Sequence, residues 1–224
     1  MLYLWMPETN GTWYWSTGEN WLQANSLEQL IQDLHEHNGK EAVVYFPSRN
    51  AQLMQQTMTK LHFKQLGQEG VKYLLEEFVT LPIDQMKIVH HFQNDQLSVL
   101  GVAQSTIETW QHALSLLPIQ IIAFLPDFLI LPEPEPNQII IANLYGNLLA
   151  RENEWSGNSI DDLALFLEFQ NPATEYKFAN LSPTQLDCLA AASTQDQVTE
   201  FSYQFHSLNR PKQHPLNVLP KAKN

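Results

Sequence analysis

Side chains able to bind metal or move protons are gathered at His35-Glu36-His37, His90-His91 and Asp161-Asp162, with a single thiol at Cys188. A metal site needs ligands converging from one face. His35 and His37 stand two apart at the end of a predicted helix, where their rings diverge. Cationic histidines there also suit the negative end of the helix dipole. His90 and His91 are adjacent in a predicted strand, so their rings fall on opposite faces. Asp161 and Asp162 fall in the first turn of a predicted helix, where carboxylates favour the dipole over catalysis. Cys188 lies between Leu186 and Leu189 as a small buried hydrophobe, and nothing pairs it with a base. No Gly-x-Ser-x-Gly elbow, Gly-Gly pair or P-loop spacing occurs in the chain. These residues predict no catalytic centre, no metal and no cofactor.

The elements that carry them follow from periodicity and punctuation. Met1–Met6 and Thr12–Ser16 predict an N-terminal hairpin about Pro7-Glu8-Thr9-Asn10-Gly11. Ser26 opens a helix, with Gln29 at the capping-box position and Leu27, Leu30, Ile31 and Leu34 on one face. Asn38-Gly39 ends it, and Ala42–Phe46 is an apolar strand stopped by Pro47. The opening order is thus β-β-α-β. Met54–Phe63 reads as a further strand, followed by a helix from Gln65 to Thr80 that buries Val71, Leu74, Leu75 and Phe78. Lys87–Phe92 and Leu97–Ala103 pair across Gln93-Asn94-Asp95-Gln96. Ser105 with Glu108 caps a helix whose inner face is Ile107, Trp110, Leu114 and Leu117. Ile119–Leu125 is a strand, and Phe128–Leu131 a short apolar run after the Pro126-Asp127 turn. Pro132-Glu133-Pro134-Glu135-Pro136 is a stiff linker.

After the linker the pattern restarts. Gln138–Leu144 and Asn147–Glu152 form a hairpin about Tyr145-Gly146, and Ser159 caps a helix with Ile160, Leu163, Ala164 and Leu167 inward. Ser182-Pro183-Thr184-Gln185 starts another helix, with Leu181 placed to staple Leu186. Both halves open with paired strands and proceed to helices, a repeat of architecture and not of sequence. The expected fold is mixed α/β in two lobes.

Composition bounds the function. At 224 residues and 44% hydrophobic content there is chain enough for one large or two small cores. One cysteine excludes an intramolecular disulfide framework and fits a reducing compartment. Residues 1–200 hold all 24 acids against eight Lys or Arg, while Arg210, Lys212, Lys221 and Lys223 in the last stretch face no acid at all. An acidic body argues against nucleic acid, whose phosphates it repels. A short basic tail after such a body is what precedes a membrane anchor, or it is a frayed terminus. The first basic residue is Lys40, so no secretory signal is read. Leu114–Pro132, the most apolar stretch, is broken by Pro118, Gln120, Pro126 and Asp127 and reads as a buried strand pair with turns. Without export, the glycosylation patterns Asn10-Gly11-Thr12 and Asn180-Leu181-Ser182 are chance.

An ordered series of short stretches adds a family. Tyr45-Phe46-Pro47-Ser48 is followed by Val71-Lys72-Tyr73-Leu74-Leu75-Glu76-Glu77, Leu81-Pro82-Ile83-Asp84 and His90-His91-Phe92. After the Trp110 helix comes Phe124-Leu125-Pro126-Asp127-Phe128-Leu129-Ile130-Leu131-Pro132. This series resembles the cytoplasmic domain of the type II secretion system protein L family, most specifically from Tyr45 to Pro132. The later Asn143–Leu149 hairpin and the Pro215-Leu216-Asn217-Val218-Leu219 segment fall in the expected places. The resemblance implies an actin-like fold of two RNase H-type lobes: residues 1–136 with an inserted subdomain at about 48–103, residues 137–209, and a basic juxtamembrane tail at 210–224. It also implies a non-catalytic scaffold on the cytoplasmic side of the bacterial inner membrane, continuing after residue 224 into one membrane helix. Its partners would be the N-terminal domain of the secretion ATPase, platform proteins M and F, the pseudopilins, and a second copy as a homodimer.

An actin-like fold raises the alternative of a nucleotide-binding pilus assembly protein, and a soluble adaptor without anchor is a further reading. Active actin-like members hold Mg-nucleotide with two hairpin turns carrying Asp and glycine. Here the turns are Glu8-Thr9-Asn10-Gly11-Thr12, with its acid three residues before the glycine, and Asn143-Leu144-Tyr145-Gly146, with an amide in place of the charge. Gly157 is the last glycine, so no glycine-rich loop follows it. ATP hydrolysis is therefore not expected. What remains is surface: Glu69, Glu76, Glu77 and Asp84 surround an apolar run, and a basic partner would be steered toward them.

Overall fold

Leu2, Leu4 and Trp5 are buried along a strand that sits at the middle of the first sheet, β1 (Leu2–Trp5). The structure is a computed structural model and describes residues 1–8 and 11–221. β1 runs antiparallel to β2 (Trp13–Ser16), and β2 antiparallel to β3 (Leu22–Ala24). Helix α1 (Leu27–Asp33) is capped as expected, the Ser26 hydroxyl accepting from the Gln29 amide at 3.1 Å. It leads to β4 (Glu41–Phe46), parallel to β1. The opening is therefore β-β-β-α-β. The extra strand is three residues long, too short to show a period.

Between β4 and the last strand of this sheet lies an inserted three-stranded sheet, ordered β5-β7-β6, built from β5 (Gln52–Thr57), β6 (Met86–Gln93) and β7 (Gln96–Ala103). β6 and β7 pair as predicted, turning on Asn94 and Asp95, both with positive φ. The strand expected over Met54–Phe63 ends at Thr57, because Thr59 caps a helix through its hydroxyl and the His62 amide (3.1 Å). Helix α2 thus spans Lys60–Leu74, broken at Gly67, and buries Val71 against Met58, Leu97 and Val99. The expected continuation to Thr80 is replaced by a 3₁₀ turn at Glu76–Phe78, which leaves Phe78 53% exposed where an inward position was expected.

Helix α3 (Gln104–Leu114) buries Ile107, Trp110 and Leu114 as the period required. It starts after Ala103 without a side-chain cap, and Ser105 lies inside it. Strand β8 (Gln120–Pro126), parallel to β4, completes the order β3-β2-β1-β4-β8. Asp127–Ile130 is a buried 3₁₀ turn, where a second strand had been expected.

The second sheet has the order β11-β10-β9-β12-β13, the same sequence of antiparallel and parallel neighbours as the first. Its strands are β9 (Gln138–Leu144), β10 (Asn147–Asn153), β11 (Ser156–Ser159), β12 (Glu175–Ala179) and β13 (Val198–Glu200). Ser159 ends β11 and does not cap a helix. Asp162 is the cap of α4 (Leu163–Glu168), accepting from the Leu165 amide at 3.0 Å. α5 (Pro183–Ala192) begins with the full capping box of Ser182 and Gln185. Leu181 packs against this unit's core, while Leu186 is left exposed. Gly157 in β11 is obligatory for packing, because an added Cβ would collide with the Phe128 side chain and the Ala150 carbonyl.

The chain divides into a first unit, Met1–Pro126 joined by the segment from Leu208 onward, and a second, Asp127–Ser207. The returning segment is held to β8. The Val218 amide donates to the Phe124 carbonyl (3.0 Å), and the Phe124 amide donates to Asn217 Oδ1 (2.9 Å). Leu216 and Val218 are fully buried, so residues 211–219 are not frayed.

Candidate functional site

The groups able to do chemistry remain dispersed. His35 and His37 form a 3₁₀ turn after α1, and His37 Nδ1 lies 3.1 Å from Lys40 Nζ with its ring edge-on to Trp15. His90 packs its ring against Phe63, and partial burial, then the neighbouring His91, holds it below its ordinary pKa. Cys188 is half-buried against the second core, and among the described residues no three His, Cys, Asp or Glu groups are placed to hold a metal.

The two glycine-bearing bends differ in what they commit. Thr9 and Asn10 of the first lie outside the described residues. In the second, Asn143 Oδ1 accepts from the Gly146 amide at 3.0 Å, and Asn143 Nδ2 donates to Gln185 Oε1 at 3.1 Å. The amide that a phosphate oxygen would seek is already engaged by the bend's own side chain. Gln185 in turn ties the bend to the start of α5.

The surface acids are placed by the inserted sheet and its helix. Glu69 lies on α2, exposed, and its carboxylate is 3.4 Å from Lys72 Nζ one turn on. This ion pair, in water, contributes little stability. Glu76 and Glu77 occupy the 3₁₀ turn after α2, and Asp84 the next one, Ile83–Gln85. All three are exposed. The structure therefore gathers Glu76, Glu77 and Asp84 in one link between α2 and β6, and leaves Glu69 paired on the helix. Tyr73, Phe78 and Leu81 are exposed on the same stretch. The helical period had turned Phe78 inward, so the aromatic part of this surface was missed.

Two units that repeat one five-strand order, the first carrying an inserted β-sheet, define a two-unit α/β protein of actin-like fold. The chain matches the family model of the type II secretion system (T2SS), protein L, over residues 7–216, and it belongs to that family. Among solved structures it is similar to the cytoplasmic domain of EpsL, an inner membrane component of the type II secretion system of Vibrio cholerae. That likeness has a TM-score of 0.65 at 17% identity, covering 85% of this chain and 93% of that one. The PilM-PilN type IV pilus biogenesis complex matches at TM-score 0.48 and 12% identity, over 85% of this chain and 67% of that one. A Bacteroides thetaiotaomicron protein with actin-like ATPase fold and unknown function matches at 0.48 and 11%, over 89% and 90%. At those scores neither of the last two contributes to the assignment. No curated protein sequence matches the chain.

Proposed function

We propose that this chain is a non-catalytic docking scaffold on the cytoplasmic side of the bacterial inner membrane, recruiting the secretion ATPase and coupling it to pseudopilus assembly. The ATPase would be held through its N-terminal domain. Platform proteins M and F and the pseudopilins would be the partners on the membrane side, and the scaffold would act as a homodimer tethered by a membrane helix. Membership of the protein L family supports the setting. Among the described residues no helix is long and apolar enough to cross a membrane.

The observation that carries the docking role is the link between α2 and β6. It presents Glu76, Glu77 and Asp84 interleaved with exposed Phe78 and Leu81 on a sheet inserted into the first unit. Carboxylates around apolar side chains steer a basic partner and then give it something to bury. No conformational change is needed to expose them.

The test is the double charge reversal Glu76→Lys/Glu77→Lys. Pull-down of the ATPase N-terminal domain should weaken by at least about tenfold at ~0.15 M salt. The melting temperature should not fall, because both side chains are exposed. Unchanged capture would remove this face from the docking site.

A further inference from the structure

In the second unit α4 and α5 pack side by side, leaving an open groove of about 640 Å³ between them and β12. Its wall is mainly apolar, with Leu165, Leu167, Tyr176, Cys188, Ala191 and Ala192, and Gln170 and Asn171 add side-chain amides. The two alanines keep the α5 side low, and Leu165 opposite them is half exposed. Asp162 and Glu168 stand on the α4 side of the groove, and Phe169 next to it is 80% exposed. From residue 157 to 200 the chain has seven acids and one cation, Lys177. Tyr176 faces the groove, so its neighbour Lys177 points to the opposite side of the strand, where it lies over the Phe201 ring at 5.4 Å. The groove is mainly apolar with two side-chain amides, and it has carboxylates and no cation from this stretch around it.

The occupant this selects is a short helix with an apolar side chain set among cations. The first two turns of α2 in this same chain are such a helix. Lys60 and Lys64 stand four apart and Leu61 three before Lys64, so the three share one surface. All three are exposed, Leu61 by 67%. The other side of these turns is occupied: Phe63 stacks on Phe92 with ring centroids 4.4 Å apart, and Leu66 packs against the core of the inserted sheet. Only the cationic face with Leu61 is left for a partner.

We infer that the α4–α5 groove of one copy receives the Lys60–Leu66 turns of a second copy, Leu61 entering between Leu165 and Ala191 and the two lysines meeting the carboxylates of the rim. This places the contact of the proposed homodimer on surfaces separate from the link at residues 76–84.

The experiment is sedimentation velocity on the purified chain from about 1 to 100 μM, with three variants. Ala191→Trp fills the groove from an exposed position, Glu168→Lys reverses the rim, and Lys60→Glu/Lys64→Glu reverses the helix. Each should weaken self-association by at least about tenfold while circular dichroism and melting temperature stay as in the parent. Mixing differently labelled Glu168→Lys and Lys60→Glu/Lys64→Glu chains should restore association, since the two reversed surfaces match. A parent chain that stays monomeric throughout overturns the inference. Association untouched by Ala191→Trp does so as well. If Ala191→Trp acts and the lysine reversal does not, the groove belongs to another occupant and the inference again falls. ATPase capture reports on the other surface and is read independently.

Discussion

His206 shows how one side chain couples the second unit to pH. It is held below its ordinary value of 6.5 mainly by burial, then by the Arg151 guanidinium, with Glu133 opposing. Arg151 is itself buried, donating to the Leu131 carbonyl at 2.8 Å and the Glu154 carbonyl at 3.0 Å, so its charge is fixed in place. The folded state therefore binds the His206 proton more weakly than the unfolded chain does. Its stabilising contribution is full above 6.5 and is lost as pH falls through the folded pKa. His90 is shifted the same way in the inserted sheet. The melting temperature should drop between about pH 7 and 5, and His206→Gln should flatten that slope. A slope unchanged in the variant would show that His206 takes no part.

Among the elements, the inserted helix α2 carries the clearest conformational demand. Gly67 holds φ 65° and ψ 179°, a region that side-chain-bearing residues avoid, and it divides the cationic first turns from the turns that bury Val71. Gly67→Ala should cost about 1–3 kcal/mol, read as a lower urea midpoint. An unchanged midpoint would show that the break imposes no demand. This break also explains what the sequence could and could not tell. Helix faces with a sustained period, such as Ile107, Trp110 and Leu114 in α3, were legible, as were the Ser26 and Ser182 caps and the β6–β7 turn. The start of α2 was not, because Leu61 and Phe63 carry a strand's alternation on into the first turn of the helix. β3 and β11 were too short, and the Ser-Gly-Asn-Ser of β11 too polar, to show alternation at all. Of the candidate surface, the acids could be named from composition alone. Their apolar companion Phe78 could not, since its exposure depends on a 3₁₀ turn that breaks the period just after Leu75.

For the whole molecule, the decisive fact is connectivity. The chain leaves the first unit after Pro126, builds the second, and returns at Leu208 to finish the first. Removing residues 208–224 should therefore destabilise the unit from which they are farthest in sequence. Leu216 and Val218 are each fully buried, a loss of about 1.5–3 kcal/mol apiece. Hydrogen exchange should accelerate at the amides of β4 and β8 and stay slow at β9 and β12. Equal acceleration in both sheets would contradict a local role for the returning segment.

That clasp also decides how a mechanical load would travel. A pull applied at Lys221 meets the stretch fastened beside Phe124 before it can draw on Asp127–Ser207 at all. The first unit would bear the tension, and the second would feel it only after the clasp had peeled away.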